Sequence, residues 1–209
     1  MGEVKKTEFV NLVIFAFSQY IDYWLSEIKP HLEGMFGKID YISEQLPFGT
    51  YTTYYDYEMG SDLKGRLISF EKLIHPSLLV DAKVFTNELE KNYSVEGKRK
   101  FNLDPGYVHH LNFVLASTKP WANRIYLGKG IYAEVTLLYL SGEFRYWEFT
   151  YPNYRSDEYK KELEHVRKLY LEKRRNFLKG EEINEDRNKS SGLSEKRSRL
   201  RCIGGDPEG

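Results

Sequence analysis

The segment NLDPGYVHH, Asn102–His110, decides how the middle of the chain is read. Lys100–Leu103 reads as a short strand that delivers the chain into it. Asp is a favoured helix N-cap and Pro is favoured at the first helical position, so Asp104-Pro105 has the chemistry of a strand ending and a helix beginning. Tyr107, Val108, Leu111, Val114 and Leu115 then recur at helical spacing. The segment therefore predicts a helix from Gly106 to about Ser117, capped by Asp104. In that position the Asp104 carboxylate sits on the amides that would otherwise hold an anion. His109 and His110 would point about 100° apart on the helix, and neither has a second histidine four residues away, so no metal site is expected.

Upstream, Val10–Phe17 (VNLVIFAF) is nearly all apolar, the pattern of a central buried strand. It is too short to span a bilayer and lacks a small-residue cleavage signature. Ser18 is placed to cap a helix with Ile21, Trp24, Leu25, Ile28 and Leu32 on one face. Pro30 should kink or restart it, and Gly34 and Gly37 should end it. Strands follow over Ile39–Leu46 and Arg66–Glu71, separated by a Tyr-rich stretch without a period. His75-Pro76 opens a helix with Leu79, Ala82, Val84, Phe85 and Leu89 as its apolar stripe.

Downstream, Arg124–Leu127, Ile131–Leu140 and Glu143–Phe149 form a three-stranded β-meander with GKG and SG turns. Ser156 caps a last helix. The expected fold is α+β, with a ferredoxin-like βαββαβ first half followed by a helix, the meander and a C-terminal helix. Residues 1–179 read as a single domain and 180–209, polar and rich in Ser, Lys, Glu and Arg, as a disordered tail.

Thirty-one basic residues balance 31 acidic ones, so the chain carries no strong electrostatic signal for nucleic acid or an anionic membrane. Its 17 tyrosines suit half-buried surfaces and clefts. One cysteine, Cys202, makes no intramolecular disulfide and no multi-cysteine zinc site, which leaves the cytoplasm as the expected location. No P-loop, GxGxxG opening a helix, GxSxG or HExxH is present, and no cofactor is assigned.

A GKG turn that pairs Leu127 with Ile131 would set Arg124 opposite Glu134 and Tyr126 opposite Tyr132. Exposed, such an ion pair is surface decoration. Covered, it becomes the floor of a polar pocket. Lys119, Tyr151 and Arg155 lie on the loops flanking the meander, and Tyr54 and Glu58 on the Tyr-rich loop. The expectation is one cleft for a small anionic molecule, such as a phosphate, carboxylate or nucleotide. Lys119, Arg124 and Arg155 supply charge, and Tyr54, Tyr132 and Tyr151 line it. Glu134 or Asp104 is the candidate acid or base, and the Tyr54–Glu58 loop is the movable wall. Binding and turnover both stay open. The alternative is a non-catalytic module that docks protein or RNA through exposed tyrosines, or a homo-oligomer sealed by the Tyr-rich loops.

YYDYEMG, TNELE, NLDPGYV, LASTKPWANRIYL, GIYAEVTL and TYPNYR, in that order, resemble the motifs of a prokaryotic family known as domain of unknown function 4416. The resemblance runs from about Phe9 to Tyr170 and implies one domain. Relatives often carry His at the position of Asn123 and Asp at that of Asn153. Some are labelled GTP-binding, but this chain has no recognised guanine-nucleotide motif.

Overall fold

Val10–Ser18 is nearly all apolar because it forms a strand, β1, covered on both faces. Val13, Phe15 and Phe17 pack into one apolar cluster, and Leu12, Ile14 and Ala16 into another. The computed structural model describes residues 2–201, with side chains for 2–180. The chain divides into two units, Met1–Leu171 and Glu172–Gly209, and every contact discussed below lies within the first.

The elements after β1 are α1 (Ile21–Phe36), β2 (Ile39–Ile42), β3 (Leu46–Pro47), α2 (Asp56–Met59), β4 (Lys64–Ile74) and α3 (Leu79–Asn92). β5 (Asn102–Val108), β6 (Asn112–Ser117), β7 (Ile125–Gly128), β8 (Ile131–Leu140), β9 (Glu143–Arg145), α4 (Pro152–Arg155) and α5 (Asp157–Arg201) follow. This is an α+β fold around one nine-stranded sheet, ordered β2-β4-β1-β5-β6-β8-β7, with β3 on β4 and β9 on β8. Every strand pair is antiparallel. β4 lies between β2 and β1, the strands that α1 connects. β1 in turn lies between β4 and β5, the strands that α3 connects.

One face is covered by α1, through Ile21, Leu25, Ile28, Leu32 and Phe36, and by α3. The other carries the start of α5, where Tyr159, Leu163 and Val166 keep helical spacing against Phe15, Phe17 and Phe113. The Ser156 hydroxyl accepts from Tyr159 N–H at 3.5 Å, as the expected cap. Pro30 does not interrupt α1. Gly34 lies inside it, and Gly37 (φ 88°) ends it by donating to the Glu33 carbonyl. The strand expected over Ile39–Leu46 breaks into β2 and β3, and the third meander strand stops at Arg145. α5 runs on past Gly180, where the tail was expected to begin. The side chains of 181–201 and all of 202–209, Cys202 included, lie outside the described residues.

The main correction falls on NLDPGYVHH. No helix follows Asp104: the segment is β5, and a turn closed by His109 N–H to the Asn112 carbonyl (2.9 Å) leads into β6. Pro105 and Gly106 are strand residues for separate reasons. β6 pairs with β5 only from Gly106 onward, so Pro105 has a strand partner on the β1 side alone. A Cβ on Gly106 would stand 2.4 Å from the Val114 carbonyl oxygen and 3.0 Å from Leu115, so the glycine permits the close approach of β6. Gly106→Ala is therefore expected to destabilise the protein by about 2 kcal/mol through overpacking. Urea denaturation measures this, and an unchanged midpoint would show that the two strands separate freely.

Candidate functional site

β5 and β6 are joined only between Gly106↔Leu115 and Val108↔Phe113. Beyond that, Asn102–Pro105 stays on β1 while Ala116 and Ser117 stay on β8, so the sheet opens into a wedge at one end. A strand edge inside a protein needs partners for its amides and carbonyls. Two buried side chains of α3 supply them. Glu90 accepts from Leu103 N–H at 2.7 Å, and Lys83 donates to the Leu103 carbonyl at 2.9 Å. Lys83 also pairs with Asp104 at 3.2 Å. Asp104 is thus not a helix cap but a strand residue held by a buried lysine.

Arg99 extends this network. It grips Glu58 through Nε and Nη2, both at 2.7 Å, and donates to Glu90 at 3.1 Å and to Asn102 at 2.5 Å. The bond to Arg99 holds the Glu58 carboxyl below its usual range, with burial opposing. Burial pushes Glu90 up, with Lys83 opposing. Glu58 therefore braces α2 against the segment before β5 and does not line the wedge.

Across the wedge, Arg124 and Glu134 meet as the strand register requires. β7 and β8 pair Tyr126 with Tyr132 and Ile125 with Ala133. The turn itself differs from expectation. Gly128 pairs with Ile131 around Lys129 (φ 50°) and Gly130 (φ 75°), and a bulge at Leu127 restores the register. Arg124 Nε lies 2.7 Å from Glu134 Oε2, and the two side chains are only 6% and 3% exposed. Arg124 also donates to Ser117 Oγ (2.8 Å), to the Lys119 carbonyl (2.8 Å) and to Tyr151 Oη (2.5 Å). Burial works most strongly against its charge, but the bond and charge of Glu134 together with Tyr151 outweigh it and hold the guanidinium above its usual pKa.

Lys119 donates to Tyr54 Oη at 3.2 Å and lies over the same ring, so the Tyr54–Glu58 loop reaches this end through Tyr54. Arg155 is committed elsewhere: it donates to the carbonyls of Thr150 and Glu148 and positions the loop carrying Tyr151. Tyr132 meets the Tyr126 ring edge to face, with centroids 5.2 Å apart, farther along the strand.

The residues that sequence reading missed are Lys83, Glu90 and Arg99. The place of Tyr154, from the same YPNYR segment as Tyr151, was legible only in the fold. Its side chain is buried and its hydroxyl has no hydrogen-bond partner. Burial holds this phenol far above its usual pKa, and Asp104, Tyr159, Glu134 and Tyr151 push it the same way. The two carboxylates named as candidate acid or base therefore bear on one buried hydroxyl from β5 and β8. Tyr55, also raised by burial and by Asp104, packs against Phe17. Both phenols remain protonated donors at neutral pH. Polar residues at 83, 86 and 90, interleaved with the apolar stripe of α3, were the sequence signal for the other half of the wedge.

Two surface depressions lie elsewhere, one of about 250 Å³ beside His31, Phe85 and Tyr93, the other of about 350 Å³ beside Pro47, Ser61 and Lys64. Neither contains a wedge residue.

The fold and this network define an α+β protein whose polar centre sits where an antiparallel sheet parts. The chain belongs to the family described as domain of unknown function (DUF4416), whose model matches residues 8–170. No curated protein and no solved structure matches it. The six segments that resemble the family's motifs each supply part of the network: Tyr54, Glu90, Asp104, Arg124, Glu134 and Tyr151 come from one apiece. Among the described residues, no helix is long and apolar enough to cross a membrane.

Proposed function

We propose that the wedge between β5 and β6 binds a small anionic ligand of the phosphate, carboxylate or nucleotide class. The observation that carries this reading is the unpartnered hydroxyl of Tyr154, buried where Asp104, Glu134, Tyr151 and Tyr159 all act on it. A buried donor left unpaired costs about 1–3 kcal/mol, and a ligand oxygen in front of it recovers that cost. Lys119, Arg124 Nη2 and the hydroxyls of Tyr54 and Tyr151 are donors suited to the anionic group. Asp104 and Glu134 accept from hydroxyls on the rest of the ligand.

Thermal shift with inorganic phosphate, ribose 5-phosphate, GMP, GTP and citrate tests this, because a ligand at one hundred times its Kd adds about 2.7 kcal/mol of stability. At least one probe should raise the melting temperature, and Lys119→Ala should reduce the rise. Tyr154→Phe should leave the ligand-free protein about 1 kcal/mol more stable, because it removes an unpaired buried hydroxyl, while abolishing most of the ligand's effect. If Tyr154→Phe destabilises the free protein, the hydroxyl has a structural partner and the argument fails.

One observation favours a second reading, a partner-binding surface. β7 is the last strand of the sheet, and Trp121, Ile125, Tyr126 and Leu127 stand exposed along it. Light scattering across a concentration series distinguishes a self-associating edge from a monomer.

A further inference from the structure

At the end of the sheet away from the wedge, Glu8, His109 and His110 bring three ligand atoms together, all within 4.8 Å of one another. Four residues of β5 lie between Asp104 and His109, a separation of about 17 Å over the five steps, so the two places are distinct. We propose that these three side chains bind a divalent first-row transition metal ion, of which Zn²⁺ and Co²⁺ are the test cases.

The fold explains the convergence. β1 and β5 pair Asn11 with Val108, and continuing that register sets Glu8 beside the turn that follows β5. The turn is fixed at both ends. His109 N–H donates to the Asn112 carbonyl, and Arg167 on α5 donates to the His110 carbonyl through Nε and Nη2 at 3.2 and 3.1 Å. Because the two histidines occupy a turn and not a helix, their rings do not diverge; the centroids lie 3.9 Å apart. The helical geometry that argued against a shared metal does not exist here.

One oxygen, Glu8 Oε2, faces both rings, 3.8 Å from His109 Nε2 and 3.6 Å from His110 Nδ1. Both distances exceed a hydrogen bond. Ligand atoms around a tetrahedral ion with bonds near 2.0–2.1 Å stand about 3.4 Å apart, so small side-chain rotations close the set. Adjacent histidines serve one ion here by offering different nitrogens, one Nε2 and one Nδ1. Metal on His109 Nε2 leaves the proton on Nδ1, so the 3.4 Å approach of Leu111 N–H to that atom is given up. Two imidazoles and one carboxylate suit zinc, cobalt, nickel or iron, whereas calcium and magnesium prefer oxygen alone. Three protein ligands leave a position open to water or a further ligand.

The test uses the full chain without a polyhistidine tag, stripped by chelator. Calorimetry with ZnCl₂ and CoCl₂ should give one ion per chain, and Co²⁺ should produce the visible absorption of a low-coordinate nitrogen–oxygen site. Glu8→Gln, His109→Ala and His110→Ala should each weaken binding at least tenfold, with unchanged far-UV circular dichroism. His31→Ala, remote from the cluster, and Cys202→Ser should leave it as it was. Absent binding in the parent protein overturns the proposal. So does binding that survives loss of both histidines, depends on Cys202, or is matched by MgCl₂.

Discussion

Glu134→Ala is expected to destabilise the protein by about 3–5 kcal/mol, the range for a buried ion pair that loses one member. The pair qualifies because its two side chains are 6% and 3% exposed, so water neither screens Arg124 nor replaces the lost carboxylate. The remaining partners of Arg124 are two neutral oxygens from Ser117 and Lys119 and the Tyr151 phenol, none of which offsets a full charge. The loss should spread along this chain of contacts and loosen the loop before β7 together with the Tyr151 segment. Replacing both partners, Arg124→Met with Glu134→Leu, should cost less than the single change, because no charge is stranded. Denaturant titration of Arg124→Met, Glu134→Leu and the double variant gives the coupling directly. A loss below about 1 kcal/mol for Glu134→Ala would place the pair in solvent-like surroundings and remove the floor of the proposed cleft.

The Arg124–Glu134 pairing was legible because strand register is a local property, set by a turn and a two-residue period. It was legible through an imperfect intermediate, since the expected three-residue turn is a tighter one compensated by a bulge at Leu127. β1 and the stripe of α1 were legible for similar reasons. The middle of the chain was not. Tyr107, Val108, Leu111, Val114 and Leu115 fit a helical period. They also fit two adjacent strands whose side chains are needed on both faces, because a doubly covered strand need not alternate. Asp104-Pro105 fits a helix start and equally fits the place where a sheet parts, since both leave backbone groups to be satisfied without a neighbouring strand. The sequence carries no local mark that separates these. Tyr154, Lys83 and Glu90 acquire their roles only when segments far apart in the chain meet in the wedge.

Glu90 allows the sharpest test of that wedge. Glu90→Ala should destabilise the protein by about 3 kcal/mol or more, since it combines a newly unpaired buried amide with a lost carboxylate facing two cations. The amide is that of Leu103, which donates to Glu90 Oε1 at 2.7 Å, and the cations are Lys83 and Arg99. Glu90→Gln retains an acceptor for Leu103 and should recover part of the loss, which a role in packing alone would not produce. The pH dependence separates this carboxylate from its neighbour. Glu58 is held below its ordinary pKa by Arg99, so its contribution is present above the unfolded-state value of about 4.3 and fades as pH falls through the lower folded value. Glu90 is raised by burial, so its folded state favours the proton, and that contribution is present below the unfolded value and is lost as pH rises through the folded one. In Glu90→Ala the second dependence should vanish while the acid limb from Glu58 persists. If the stability of the variant keeps both limbs, some other group titrates there, and the open edge of β5 is not held by α3 in the way its hydrogen bonds require.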